Sequence, residues 1–431
     1  QGGHTVRMTA GRRLLAFCAL AALVASGCTA PEPPTPSPVA DAGWSERGPV
    51  SLAVGSGEGE RFARVVADWN EAHPNEPVTV VELPTRDGQR AADLAGRAQA
   101  GSGEYTVELL EPAATAEFAA NGWLATLPAA AFPTDGLAPA AVASATHEGE
   151  LAAYPVLLDA GVLYYRTDLL DRLDAPPPTT WTELRAACSR LMARGPSRWC
   201  YAGQLGPHPD LTSNLAEAIW SGGGSLVTAD GTPSVNTPAA AAGLSWLAAD
   251  VSSGATPEAA LTWSGDGARR AFASGSLVFL RDWWSAGASI EAGASAVVGT
   301  GSAPLPGRDG EGVAVLGGRN LGISAQARNK GTAGEFVRYL ASPPVQRELV
   351  LEGAGGPVLT ELATDAALLK EVPRLKTLNA VLATARPLPV TTKYRQFTKD
   401  VQETCLPALR GERAPADALA DLEERMARTF G

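Results

Sequence analysis

Residues 154–166 read YPVLLDAGVLYYR. The run has the make-up of an apolar strand, and Asp159 breaks it near the middle. A buried carboxylate without a partner is costly, so Asp159 is expected to face a cleft. Upstream, strands and helices alternate. VSLAV (50–54) is a short strand and GSGEG (55–59) a turn, after which Phe62, Val65, Val66 and Trp69 recur at helical spacing until VTVVEL (78–83) resumes a strand. A second helix, with Ala91, Leu94 and Ala98 on one face, leads to TVELL (106–110). This is doubly wound α/β, in which binding sites lie at the carboxyl ends of strands. GSGEGE (55–60) and the LLEP that begins at Leu109 occupy such ends.

The chain has 431 residues, 45% of them hydrophobic, enough for two cores. Its net charge of −11 argues against nucleic acid, whose binders carry a basic stripe. At the N-terminus, Arg12 and Arg13 precede an apolar stretch from Leu14 to Val24 that is short for a permanent span and reads as a secretory signal. ASGCTA (25–30) follows and resembles a lipobox, with Cys28 as the lipidated residue. Residues 1–27 are expected to be removed, taking three arginines and no acid, so the exported chain is more acidic still. Residues 28–48, rich in proline, are expected to be an extended tether that holds a folded body off the membrane. Cys188 falls on a helix with Leu184, Leu191 and Met192, and Cys200 on the next strand. A bridge between them suits an exported protein, two buried thiols being the alternative. Cys405 has no histidine near it in sequence and is read as inert.

Catalytic motifs are missing. GSGEGE has its third glycine misplaced for a dinucleotide fingerprint, and Glu58 and Glu60 would repel a pyrophosphate there. The chain has no phosphate-cradling lysine loop, nucleophile elbow or zinc helix, and its four histidines are scattered. No cofactor and no enzyme activity are expected. FLRDWWSAG (279–287) stands out, because it sets two charges and two adjacent tryptophans directly after an apolar strand.

A series of weak motifs in order carries a resemblance: VVADWNEAHPNEPVTVVELP (65–84), TAEFAANGWLATLP (115–128), the 154–166 strand, TWTELRAACSRL (180–191), IWSGGGSLV (219–227), RRAFASGSLVFLRDWW (269–284) and EFVRYLASPPVQRELVLEGAGGPVL (335–359). Together they resemble the extracellular solute-binding proteins of sugar-importing ABC transporters, the maltose-binding-like family, nearest its actinobacterial trehalose-binding lipoproteins. The resemblance implies a two-lobe periplasmic-binding-protein fold of type II. Each lobe would be a mainly parallel sheet flanked by helices, with residues 49–157 and 319–362 in the N-lobe and 158–318 and 363–431 in the C-lobe. It implies a monomer that grips a di- or oligosaccharide by hinge closure and delivers it to permease subunits, anchored to the outer face of the cytoplasmic membrane by the lipid on Cys28.

The family pattern also marks site positions. Glu111 stands where relatives carry a sugar-binding acid, although a helix N-terminal acid would look the same. Trp283 and Trp284 match the family's aromatic position, and one ring is expected to stack on sugar while the other packs the lobe. Asp159 and Asp282 are candidate acceptors for hydroxyls, and Arg281 is expected to be a structural ion-pair partner. Gly318 and Asn320 lie on the third crossover, where glycine lets backbone approach ligand. Arg386 matches a ligand-contacting arginine of the trehalose branch, a surface arginine being the alternative. The acidic candidates weigh against phosphorylated ligands. Other readings are a binder of iron through Tyr164 and Tyr165, a glycerophosphodiester or peptide binder, and an exported glycan-processing enzyme using Glu111 with Asp159.

Overall fold

The 154–166 run forms one long strand in the middle of the main sheet. A computed structural model describes residues 43–83, 89–193, 195, 197–293 and 299–430; the expected signal and Cys28, and all but the last residues of the expected tether, lie outside the described residues. The strands are β1 (Val50–Gly55), β2 (Val78–Leu83), β3 (Val107–Leu110), a small hairpin of β4 (Thr146–His147) and β5 (Glu150–Leu151), β6 (Tyr154–Arg166), β7 (Trp199–Ala202), β8 (Leu277–Trp283), β9 (Thr300–Ala303), β10 (Leu316–Ile323) and β11 (Gly356–Pro357). The main sheet runs β2-β1-β3-β10-β6-β8-β7, with β9 and β11 also paired to β6.

Two parallel arms, β1 with β2 and β3, and β7 with β8, are joined through antiparallel crossing strands. On β6 the change of partner is abrupt: residues up to Ala160 pair with β10, and from Gly161 onward they pair with β8. Gly161 suits that step because a Cβ there would run into the Glu217 carboxylate and the Arg281 guanidinium. Gly318 on β10 has φ +135°, and a Cβ there would strike the carbonyl of Leu157. Its glycine thus serves the close packing of β10 on β6.

The elements form where apolar spacing places them. Phe62, Val65, Val66 and Trp69 are the buried stripe of helix Gly59–Ala72, which covers the β1–β2 arm. Helix Trp181–Met192 opens with a capping box between Thr180 and Glu183, and it carries Cys188 to within a Cα separation of 5.3 Å of Cys200, to which it is disulfide-bonded. Cys405 is buried on helix Tyr394–Leu409, and burial pushes its thiol up to about 12. Among the described residues, no helix is long and apolar enough to cross a membrane.

Candidate functional site

The β1 turn ends in Glu58, and this carboxylate organises one wall of the site. Its Oε2 accepts from the Gly55 backbone N–H (2.6 Å) and Arg90 (2.9 Å), and its Oε1 accepts from two nitrogens of Arg319 (2.9 and 2.7 Å). Burial alone would raise its pKa, yet Arg319, Arg90 and the Gly55 amide bring it down to about 2. Arg61, one residue pair further along the helix start, makes no side-chain hydrogen bond or ion pair among the described residues. Burial depresses its pKa, partly offset by the negative charges of Glu58 and Asp159, so this half-buried guanidinium lies close to the crossing strand.

Asp159 sits one residue before the partner change on β6 and is 6% exposed. Its Oδ1 accepts from the backbone N–H groups of Ala160 (2.8 Å) and Ser285 (3.2 Å). Burial raises its pKa, against those bonds and the Arg319 charge. The expected unpaired acid is therefore hydrogen-bonded by amides, and it fastens the start of the segment after β8.

The FLRDWW stretch divides residue by residue. Arg281 is buried in a bidentate pair with Glu217 (2.6 Å for each bond) and also donates to Gln204 (3.0 Å), the structural role expected for it. Asp282 has no exposed surface, and Arg269 takes both its oxygens (2.7 and 3.1 Å). It holds Arg269 in place through both oxygens, beside the role of hydroxyl acceptor expected of it. Trp284 is likewise fully buried; its Nε1 donates to the Arg374 carbonyl (2.9 Å), and the Arg374 guanidinium lies 4.3 Å from its ring centroid. Of the two rings, it is the one with the surroundings expected of the lobe-packing partner.

Trp283 points the other way and is half-buried. The Arg281 guanidinium lies 4.5 Å from its ring centroid, and its Nε1 donates to Asp210 Oδ1 (3.1 Å). Asp210 also contacts His208 Nδ1 (3.2 Å); burial opposes its ionisation, but His208, Trp283 and Arg281 hold its pKa well below the ordinary carboxylate range. Gly317 brings β10 backbone against the six-membered ring of Trp283, since a Cβ there would overlap it.

Glu111 occupies the N-cap position of helix Pro112–Ala120, yet its side chain caps no amide and makes no hydrogen bond among the described residues. Its charge acts on Arg319 and Tyr394, so it belongs to the same neighbourhood. Asn320 does not. It is 1% exposed, and its amide donates to Thr115 Oγ1 and the Ser144 carbonyl (both 3.0 Å), so it ties β10 to neighbouring helices. Arg386 is exposed; its backbone bridges the start of β10, and its guanidinium lies 6.0 Å from the Trp220 ring centroid.

The sequence profile described as bacterial extracellular solute-binding protein matches residues 55–347. The chain belongs to that family. A probable ABC transporter-binding protein of Deinococcus radiodurans is 35% identical to this solute-binding protein over 304 residues, 68% of this chain and 72% of that one. Maltose-bound MalE3 of T. maritima superposes with a TM-score of 0.82 at 27% identity, covering 88% of this chain and 98% of that one. The GacH receptor of Streptomyces glaucescens GLA.O, solved unliganded and with acarbose and an acarbose homolog, superposes with a TM-score of 0.80 at 23% identity and shares the fold, over 89% of this chain and 98% of that one. The protein is thus a solute-binding protein of an ABC transporter with the type II fold.

In this solute-binding protein, sequence reasoning missed Glu58, Arg61, Arg269, Arg319 and Tyr394. The signal for Glu58 was its place in GSGEGE at the carboxyl end of β1. Its pairing with Arg319 joins positions 261 residues apart, beyond any local pattern. The iron reading finds no support in geometry: the Tyr164 hydroxyl donates to the carbonyls of Trp283 (3.1 Å) and Trp284 (2.9 Å), and Tyr165 faces the opposite side of β6.

Proposed function

We propose that the solute is a sugar, a di- or oligosaccharide, held in a cleft between an N-lobe of residues 49–157 and 319–362 and a C-lobe of residues 158–318 and 363–431. The observation that carries this reading is the half-buried Trp283 ring, fixed at its indole N–H by Asp210 and backed by Arg281. A pyranose presents an apolar face to such a ring and a rim of hydroxyls to acids and guanidinium groups. Glu111, Arg61 and Tyr394 supply those groups around it. Maltose in the MalE3 structure supports the choice of a saccharide.

Binding here needs no chemistry on the ligand, so the protein acts as a receptor and not as an enzyme. Asp159, the other member of the acid pair considered for glycoside cleavage, is engaged by the amides of Ala160 and Ser285 beside β8. The protein works as an exported monomer, tethered through lipid on Cys28 and handing its ligand to permease subunits. Isothermal titration calorimetry against maltose, trehalose, cellobiose and lactose tests the reading. Saturable binding of at least one is expected, and no heat from any of them overturns it.

Arg61 favours a second reading, a sugar or polyol carrying an acidic group such as a glycerophosphodiester. Its guanidinium has no partner among the described residues, and Arg269 and Arg319 lie close enough to depress its pKa further. The cleft is therefore less acidic than its sequence candidates suggested. Titration with glycerophosphocholine separates the two readings.

A further inference from the structure

Helix Tyr394–Leu409 begins without a cap of its own. Its N-cap residue, Lys393, makes no side-chain cap bond, and a lysine has no acceptor to offer the first-turn amides. A carboxylate from elsewhere in the chain meets the need. Glu117 Oε2 accepts the backbone N–H of Arg395 (2.9 Å), and Glu117 Oε1 accepts from Arg395 Nε (2.9 Å). Glu117 is 5% exposed, so water competes little for these bonds.

The two partners lie on helices that touch each other but have different main neighbours. Glu117 lies on helix Pro112–Ala120, which packs on β10 and β4, while helix Tyr394–Leu409 packs on helices Asp210–Ser221, Pro238–Ser252 and Pro415–Phe430. In the lobe division proposed above, a side chain of the N-lobe caps a helix of the C-lobe. The Arg395 guanidinium also lies 5.7 Å from the ring centroid of Trp123, another N-lobe residue. On that lobe division, parting the lobes would separate Glu117 from this helix start and leave both charges without their partner.

We propose that Glu117 and Arg395 form a closure latch, which biases the empty protein toward the closed arrangement and sets Tyr394 at the ligand. Tyr394 is the residue before Arg395, is 5% exposed, and its hydroxyl makes no hydrogen bond among the described residues. Burial and the charges of Glu111, Asp210 and Glu117 keep its phenol protonated, hence a donor aimed at the cleft acids or at a ligand. Neither latch residue needs to touch ligand. The proposal rests on the lobe division and holds for any solute, sugar or otherwise.

The test measures interlobe distance in the ligand-free chain with spin labels at Asp68→Cys and Ser245→Cys, both exposed positions, with Cys28→Ser to keep labelling specific. Glu117→Gln and Arg395→Ala are each expected to move population to longer distances, lowering the closed-to-open ratio about tenfold. The double variant should go no further than either single one. Arg395→Lys, which keeps the charge but not the paired geometry, carries the test if Arg395→Ala does not fold. Distance distributions identical to the parent's overturn the latch, and so does a lower melting temperature without any change in distance, which would make Glu117 a cap and nothing more.

Discussion

Trp283 and Trp284 are neighbours at the end of β8 and meet opposite surroundings. Trp284 is wholly buried beneath Arg374, whereas Trp283 is half-buried between Arg281 and the β10 backbone. A similar contrast separates two acids of the other arm. Glu58 is bracketed by Arg90 and Arg319 and titrates at about 2. Glu108 on β3 is 4% exposed, has an oxygen without a partner, and is pushed up to about 8 by burial alone. In both pairs residue type is the same. What differs is whether the side chain turns to the crossing strands, where charges gather, or to a packed face.

The largest expected effect tests the tryptophan contrast by stability. Trp284→Ala should lower unfolding free energy by about 3–5 kcal/mol in urea titrations, against about 1 kcal/mol for Trp283→Ala. Equal losses would break the contrast.

Next come the acids, with opposite signs. Glu58→Gln should destabilise by about 2 kcal/mol at pH 7, since its arginines lose their counter-charge. Because the folded pKa is depressed, the stability from ionised Glu58 is present above about 4.5 and is lost as pH falls toward about 2, where variant and parent should converge. Glu108 has the reverse sign: its folded pKa is raised, so the fold favours the protonated acid, and stability declines as pH rises from about 4.5 toward about 8. Glu108→Gln should remove that decline, gaining on the parent across the window. Thermal melts from pH 2 to pH 9 read both signs, and parallel curves for parent and Glu108→Gln would show that the carboxylate has a partner in solution.

The smallest expected effect in free energy sharpens the functional side of the contrast. For whichever saccharide gives saturable heat, Trp283→Ala should weaken binding by about 2 kcal/mol, while a folded Trp284→Phe should leave affinity within about threefold. The same loss in both would mean that the stacking surface lies elsewhere.

Much of the architecture was legible along the chain. The spacing of Phe62, Val65, Val66 and Trp69 marked a helix because burial selects one face, and GSGEG marked the turn before it. The apolar run of β6 marked a central strand, and the order of motifs pointed to the family that the profile match then established. For Cys188 and Cys200 the sequence left a bridge and two buried thiols open, and the structure has the bridge. The candidate site was legible only in part, since residue type told that Trp283, Trp284, Asp282, Asp159 and Glu111 could bind, but not which of them were already spoken for.

Sequence by itself determined the alternation of strands and helices, the break at Asp159 and the placing of two rings after β8, because these depend on spacing within a few residues. Tertiary structure alone decided that Arg269 occupies Asp282, that Arg374 covers Trp284, that Arg319 reaches Glu58 and that Glu117 caps the helix of Arg395. The physical reason is that a polar side chain's role depends on its partners and its exposure. Those partners are brought together by a strand that changes neighbours between Ala160 and Gly161, from positions too far apart in the chain for any local pattern to join them.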